Sequence, residues 1–261
     1  MSPQHSGTTR TDTGNEPIRP EELSLIIPPA LESLHNQVVA AIRKSFPERV
    51  VKLPLESPHT AKIDLSPNNE LVASTDCQDN KDISALLEAV LRESGATHGI
   101  GGYDEKRGWY ARGEQFSNGE EVRSIHLGID IWAPAGETVY APYDGVIHSA
   151  QDNALFGDYG PTVIVTHELE GVTFHTLYGH LSRESLPGKT PGTIIKKGEQ
   201  IGTLGAPPIN GDWPPHLHFQ IITDMLGKVG DYPGVAAESQ RERYLLLCPD
   251  PNLIVRSPLL A

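Results

Sequence analysis

From about Gly99 onward the chain is written in short apolar runs rich in Val, Ile, Thr and Tyr, each cut short by Gly or Pro. Such runs suit a pleated, half-buried surface better than a helix, so this part of the sequence predicts a mainly β core. Candidate strands are residues 137–141, 145–150, 162–167, 173–181, 201–204 and 216–223. The preceding stretch reads differently. Leu31, Leu34, Val38, Ala41 and Ile42 recur at helical spacing until Pro47 forbids continuation, and Ile83, Leu86, Leu87, Val90 and Leu91 share a face of a second helix, over 82–94, that Gly95 closes. Short strands are expected at 50–53 and 63–65. Residues 1–22, rich in Ser, Thr, Pro, Gly and Gln, have the composition of a disordered leader. The expected organisation is therefore a leader over 1–22, a small α/β N-terminal extension over 23–98, and a principal β domain over 99–261, with one further helix near 239–247.

Charge and composition narrow the partners. With 261 residues and 38% hydrophobic content, the chain can bury one good core and a small subdomain. Its net charge of −13 repels phosphate backbones and anionic bilayers, so neither nucleic acid nor a membrane surface is an expected partner. No apolar run approaches the roughly 20 residues of a spanning helix, and the polar N-terminus lacks the apolar region of a secretory signal. A cytoplasmic location is expected, with Cys77 and Cys248 as free thiols.

Two short motifs bring metal-binding residue types together. In Pro215-His216-Leu217-His218-Phe219-Gln220 the apolar alternation argues for a strand, which points His216 and His218 to one face. Two adjacent imidazoles are costly to bury without partners, and a metal ion satisfies a neutral imidazole directly. The bland alternative is a pair of hydrogen-bonded surface histidines. His126-Leu127-Gly128-Ile129-Asp130 adds a nitrogen and an oxygen donor, with Gly128 letting the backbone pass close by, although such a pair also arises by chance. Together, His126, Asp130 and His218 would leave a fourth tetrahedral position for water, which is the catalytic pattern of zinc. A third element, Thr176-Leu177-Tyr178-Gly179-His180-Leu181, lies in a strand with His175; the odd separation of His175 and His180 places them on opposite faces. No HExxH is present, so histidine must serve as base if the chemistry is hydrolysis.

In this order the three elements resemble the zinc endopeptidase family of lysostaphin and the LytM-type peptidoglycan hydrolases. Val139-Tyr140-Ala141-Pro142-Tyr143-Asp144-Gly145-Val146 and Lys197-Gly198-Glu199-Gln200-Ile201-Gly202-Thr203-Leu204-Gly205 resemble its two hairpins. The resemblance implies a LytM-like antiparallel β-sheet groove domain built on a duplicated hybrid motif. It also implies one Zn²⁺ per chain held by His126, Asp130 and His218, with His180 and His216 assisting hydrolysis of a peptide or amide bond. Tyr178 and Trp213, adjacent to site residues, are candidate substrate contacts. Residues 99–255 also resemble the peptidase-like module of bacterial phosphotransferase/aminotransferase fusion proteins, on Tyr159-Gly160-Pro161, Leu181-Ser182-Arg183-Glu184-Ser185-Leu186 and Cys248-Pro249-Asp250-Pro251-Asn252. Two other readings compete: a non-catalytic LytM-like binding or regulatory module, and a phosphocarrier or lipoyl-like carrier, whose duplicated hairpins are similar. Ala206 to Pro215, with four prolines and a glycine, is expected to form a loop over the groove.

Overall fold

The computed structural model describes residues 28–74, 80–108 and 121–261. The expected leader and Cys77 lie outside the described residues. The strands are β1 (Thr60–Lys62), β2 (His98–Gly101), β3 (Glu105–Lys106), β4 (Arg123–His126), β5 (Ile129–Trp132), β6 (Thr138–Tyr140), β7 (Gly145–Asn153), β8 (Gly160–Leu169), β9 (Val172–Gly179), β10 (Ile194–Ile195), β11 (Gln200–Thr203), β12 (His216–Ile222) and β13 (Val235–Ala237). Helices are α1 (Pro29–Lys44), α2 (Glu70–Ser74), α3 (Asn80–Ser94), α4 (Arg241–Leu247) and α5 (Asn252–Val255). The architecture is mainly β. Its centre is an eight-stranded sheet in the order β1-β2-β5-β12-β9-β8-β7-β10, flanked by a β11-β6 pair and a three-stranded β13-β4-β3 sheet. Every pairing in the large sheet is antiparallel except β1 with β2.

Strands form where β-branched runs alternate, and their ends differ from the expected ones by a few residues. The expected strand at 50–53 is reduced to one bridge between Val51 and Val139. That at 63–65 begins earlier, at Thr60, because the chain leaves the ladder after Ile63 and the Leu65 N–H turns to the Glu105 carboxylate. Strands β1 and β2 belong to the large sheet, so the segment ahead of the β domain extends the same surface. No helix among the described residues is long and apolar enough to cross a membrane.

The large sheet is buried on both faces, which sets where polar side chains can sit. Ile129, Ile131, Leu217, Phe219, Tyr178 and Val163 point into one cluster; Leu127, Tyr159, Ile164, Leu177 and Ile222 point into another. Tyr178 pairs with Phe219 across the strands and is fully buried beside it, its hydroxyl 2.9 Å from Thr176 Oγ1. This corrects its expected role as a substrate contact. Its face of the sheet is the one turned away from His218, whose cross-strand partner is Gly179.

His167 shows how a buried histidine outside any site behaves. Its Nδ1–H donates to the Asp144 carbonyl at 2.9 Å, and burial pushes its pKa down to about 4. The unfolded chain titrates near 6.5, so between about pH 6.5 and 4 the unfolded state takes up a proton that the folded state refuses. Stability is therefore complete above this window and falls by roughly 3 kcal/mol as pH drops through it. We expect the slope of Tm against pH across this window to be shallower in His167→Gln; an unchanged slope would remove His167 as a contributor.

Candidate metal centre

Strand register assembles the site. In one row across the sheet, Gly101 on β2 pairs with Asp130 on β5, Asp130 with His218 on β12, and His218 with Gly179 on β9; in the next, Trp132 pairs with His216. The glycines flanking this row are spatially required. A Cβ on Gly101 would lie 2.1 Å from the Ile63 carbonyl oxygen, and one on Gly179 would lie 2.6 Å from the Tyr159 ring. His126 arrives from β4 through the turn at Leu127-Gly128. Gly128 does let the backbone pass close by, since a Cβ there would sit 2.6 Å from the His218 ring.

Each imidazole is oriented by a partner that fixes its proton. His126 Nδ1–H donates to the Gly102 carbonyl at 2.8 Å, leaving a lone pair on Nε2. His218 Nε2–H donates to Gln220 Oε1 at 2.9 Å, and the Gln220 amide is held in that sense by donating to the Pro233 carbonyl, so the lone pair of His218 is on Nδ1. His216 and His180 donate Nδ1–H to the carbonyls of Pro214 and Asn210, at 2.7 and 2.8 Å. Both present an unprotonated Nε2 to the cleft.

The consequence is an accumulation of electron pairs. His126 Nε2 and His218 Nδ1 face each other at 2.9 Å, and Asp130 Oδ1 lies 3.4 and 3.3 Å from them. Asp130 Oδ1 is buried and accepts no hydrogen bond. Three acceptors facing one another with no proton between them repel unless a cation lies among them. Ligands at zinc distances of about 2.0–2.1 Å in a tetrahedron are separated by about 3.3 Å, so the donor set fits such an ion. These three residues form the one group among the described residues with ligand atoms close enough to hold a metal.

The surrounding charges favour the same state. Burial holds His180 well below its ordinary value and lowers His216, and it pushes His126 down to about 4, so these rings are neutral near pH 7. Burial opposes the charge on Asp130, but His126 and Arg107 outweigh it and keep its carboxyl well below the usual carboxylate range. Arg107, 3% exposed, donates from Nη1 to Asp130 Oδ2 at 2.7 Å and from Nε to Glu105 at 2.8 Å. The segment from Gly102 to Arg107 thus holds the outer face of two of the three candidate ligands.

The structure brings His126, Asp130, His218, His180 and His216 into one cleft, which Trp213 also lines. The expectation that His175 and His180 face opposite ways needs correction. Parity does not govern His180, which lies beyond the end of β9 with φ of +62° and reaches the cleft through that turn. His175 points to the same face as its partner Ile222, part of the cluster on the side of His218. The 206–215 loop does border the cleft, but it also supplies the two carbonyls that orient His180 and His216. Sequence reasoning missed Gly102, Arg107 and Gln220; only Gln220 carried a signal, lying two residues beyond His218 on the same strand face.

The β-sheet cleft thus combines a convergent His-Asp-His donor set, a candidate site for one metal ion, with two neutral imidazoles beside it. Residues 124–229 match the model of Peptidase family M23. The chain is 36% identical over 104 residues to peptidoglycan DD-endopeptidase ShyC of Vibrio cholerae, covering 40% of this chain and 21% of that protein. It is 38% identical over 96 residues to DD-carboxypeptidase/endopeptidase Mpg of Neisseria meningitidis, covering 37% of this chain and 20% of that protein. The matches thus span about a fifth of the length of these curated relatives. Among solved structures, the catalytic domain of lysostaphin from Staphylococcus simulans aligns with TM-score 0.33 at 26% identity, covering 46% of this chain and 80% of that one.

Proposed function

We propose that this domain is a zinc-dependent hydrolase of a peptide or amide bond, with His126 Nε2, Asp130 Oδ1 and His218 Nδ1 as ligands. The observation that carries the reading is the convergence of these three acceptors within 3.4 Å and without a donor among them. When bound, zinc supplies Lewis acidity toward a carbonyl oxygen and a lowered pKa for water. The chain's own residues do the rest. His180 and His216 stand with ring centroids 4.2 Å apart, both neutral and both offering Nε2. One accepts the proton of the attacking water at Nε2 and, as the imidazolium, returns it to the leaving amine; the other accepts a hydrogen bond from the water at its own Nε2 and orients it for attack. Arg107 and the carbonyls of Gly102, Asn210 and Pro214 hold the reacting groups in place, so little reorganisation is needed during reaction.

A non-catalytic binding module would not need both His180 and His216 held with Nε2 free, and a carrier has no use for the three converging acceptors. The two relatives act on peptidoglycan or as DD-peptidases by name, whereas a net charge of −13 opposes adhesion to an anionic wall. We therefore place the substrate among cytoplasmic peptides or small amides. The test is release of new amino groups from purified peptidoglycan and from a panel of dipeptide amides. Chelator-sensitive, zinc-restored cleavage of the amides supports the reading; cleavage of peptidoglycan alone overturns the substrate assignment, and no cleavage by fully metallated protein overturns the activity.

A further inference from the structure

The cleft, about 240 Å³, is lined by two unlike groups of side chains. Arg123, Asp158, Lys228 and Asp231 are charged; Leu65, Ile83, Trp132 and Trp213 are apolar. Leu65 and Ile83 come from the segment ahead of the M23 match, and they pack with Trp132 in one apolar cluster against which Trp213 rests. This wall is continuous with the reacting groups. Trp132 stacks on His216 with centroids 5.9 Å apart, and Trp213 meets His180 edge-on at 6.5 Å. Any group flanking a carbonyl presented to those two histidines on this side must lie against the indoles and the aliphatic side chains behind them.

We infer that Leu65, Ile83, Trp132 and Trp213 form a substrate subsite for an apolar side chain or acyl group directly flanking the scissile bond. The inference rests on the hydrolase reading above and adds the substrate's chemistry to it. The cleft is smaller than the pockets of about 300–1,000 Å³ that enclose drug-sized ligands, so the subsite takes one such group and not an extended apolar chain. The N-terminal segment is thereby a specificity element, since it contributes Leu65 and Ile83 to a wall that the matched family segment alone would leave incomplete.

The test uses two metal-binding probes that differ in their tails. The cobalt-substituted full chain is titrated with acetohydroxamate and with phenylacetohydroxamate, reading the visible cobalt absorption bands. Burying the phenyl group against the wall is expected to make the second probe bind about 10- to 100-fold tighter. In Ile83→Ala and, separately, in Trp213→Ala, this ratio is expected to shrink to about 3-fold or less, while acetohydroxamate binding stays within about 3-fold of the native value. Trp213→Ala alters a half-buried loop residue, so the test stands if the Ile83 variant fails to fold. Equal affinity for the two probes in the native protein overturns the subsite, as does a ratio unchanged in Trp213→Ala. Absence of any spectral change with acetohydroxamate in cobalt-loaded protein would instead remove the metal-centre reading, and the subsite with it.

Discussion

Asp130→Ala and His218→Ala are expected to lose bound metal, whereas His180→Ala keeps it and loses turnover by about 10²- to 10⁴-fold, the usual span for a general acid or base. The split follows from geometry. Asp130 and His218 contribute two of the three converging acceptors, while His180 Nε2 faces the cleft from a ring anchored to the Asn210 carbonyl. Metal binding is coupled to folding, so the two ligand variants should also forfeit the rise in Tm that zinc gives the native chain. The β-sheet itself should survive, because the cores on its two faces do not depend on the ion. His216 is the discriminating case, since its Nε2 lies 3.7 Å from Asp130 Oδ1. Retained metal with lost activity in His216→Ala supports a catalytic role; loss of metal there, with retention in Asp130→Ala, would mean that the coordination set is different.

Arg107→Met is expected to destabilise the metal-free protein by about 3–5 kcal/mol, the cost of leaving one member of a buried ion pair alone. Asp130 is 1% exposed, and Arg107 satisfies its Oδ2 while nothing satisfies Oδ1. Without the guanidinium, a bound divalent ion becomes the main compensation for that carboxylate. The increase in Tm on adding zinc should therefore be larger in Arg107→Met than in the native chain, although the metal-free variant starts lower. Tm measured with chelator and with excess zinc gives both numbers. An equal loss in the two conditions would assign Arg107 to packing alone and detach it from the metal site.

The parts of this architecture that were legible in the sequence are those where local pattern and tertiary environment agree. Strands such as β8 and β12 announce themselves because β-branched and aromatic residues alternate between breakers, and HxH on β12 places His216 and His218 together by strand periodicity alone. His126 and Asp130 were legible as donor types, but their distance from His218 depends on the pairing of β5 with β12, which no local pattern states. His180 and Tyr178 mark where periodicity fails. Parity holds only inside a strand, and β9 ends at Gly179, so His180 turns back into the cleft while Tyr178 stays in the opposite core. Arg107 was not legible because it lies 23 residues before Asp130, outside both motifs. The loop over 206–215 was legible from its prolines, but its task of orienting two histidines is performed by backbone carbonyls, which leave no trace in side-chain identity.

On the proposed reading, His126, Asp130 and His218 converge because they hold a metal ion. Elemental analysis of the full chain, purified without a histidine tag, tests it most directly. Close to one zinc per chain is expected in the native protein and almost none in Asp130→Ala; a native protein that stays metal-free after incubation with zinc, yet folds and remains active, would contradict a metal centre.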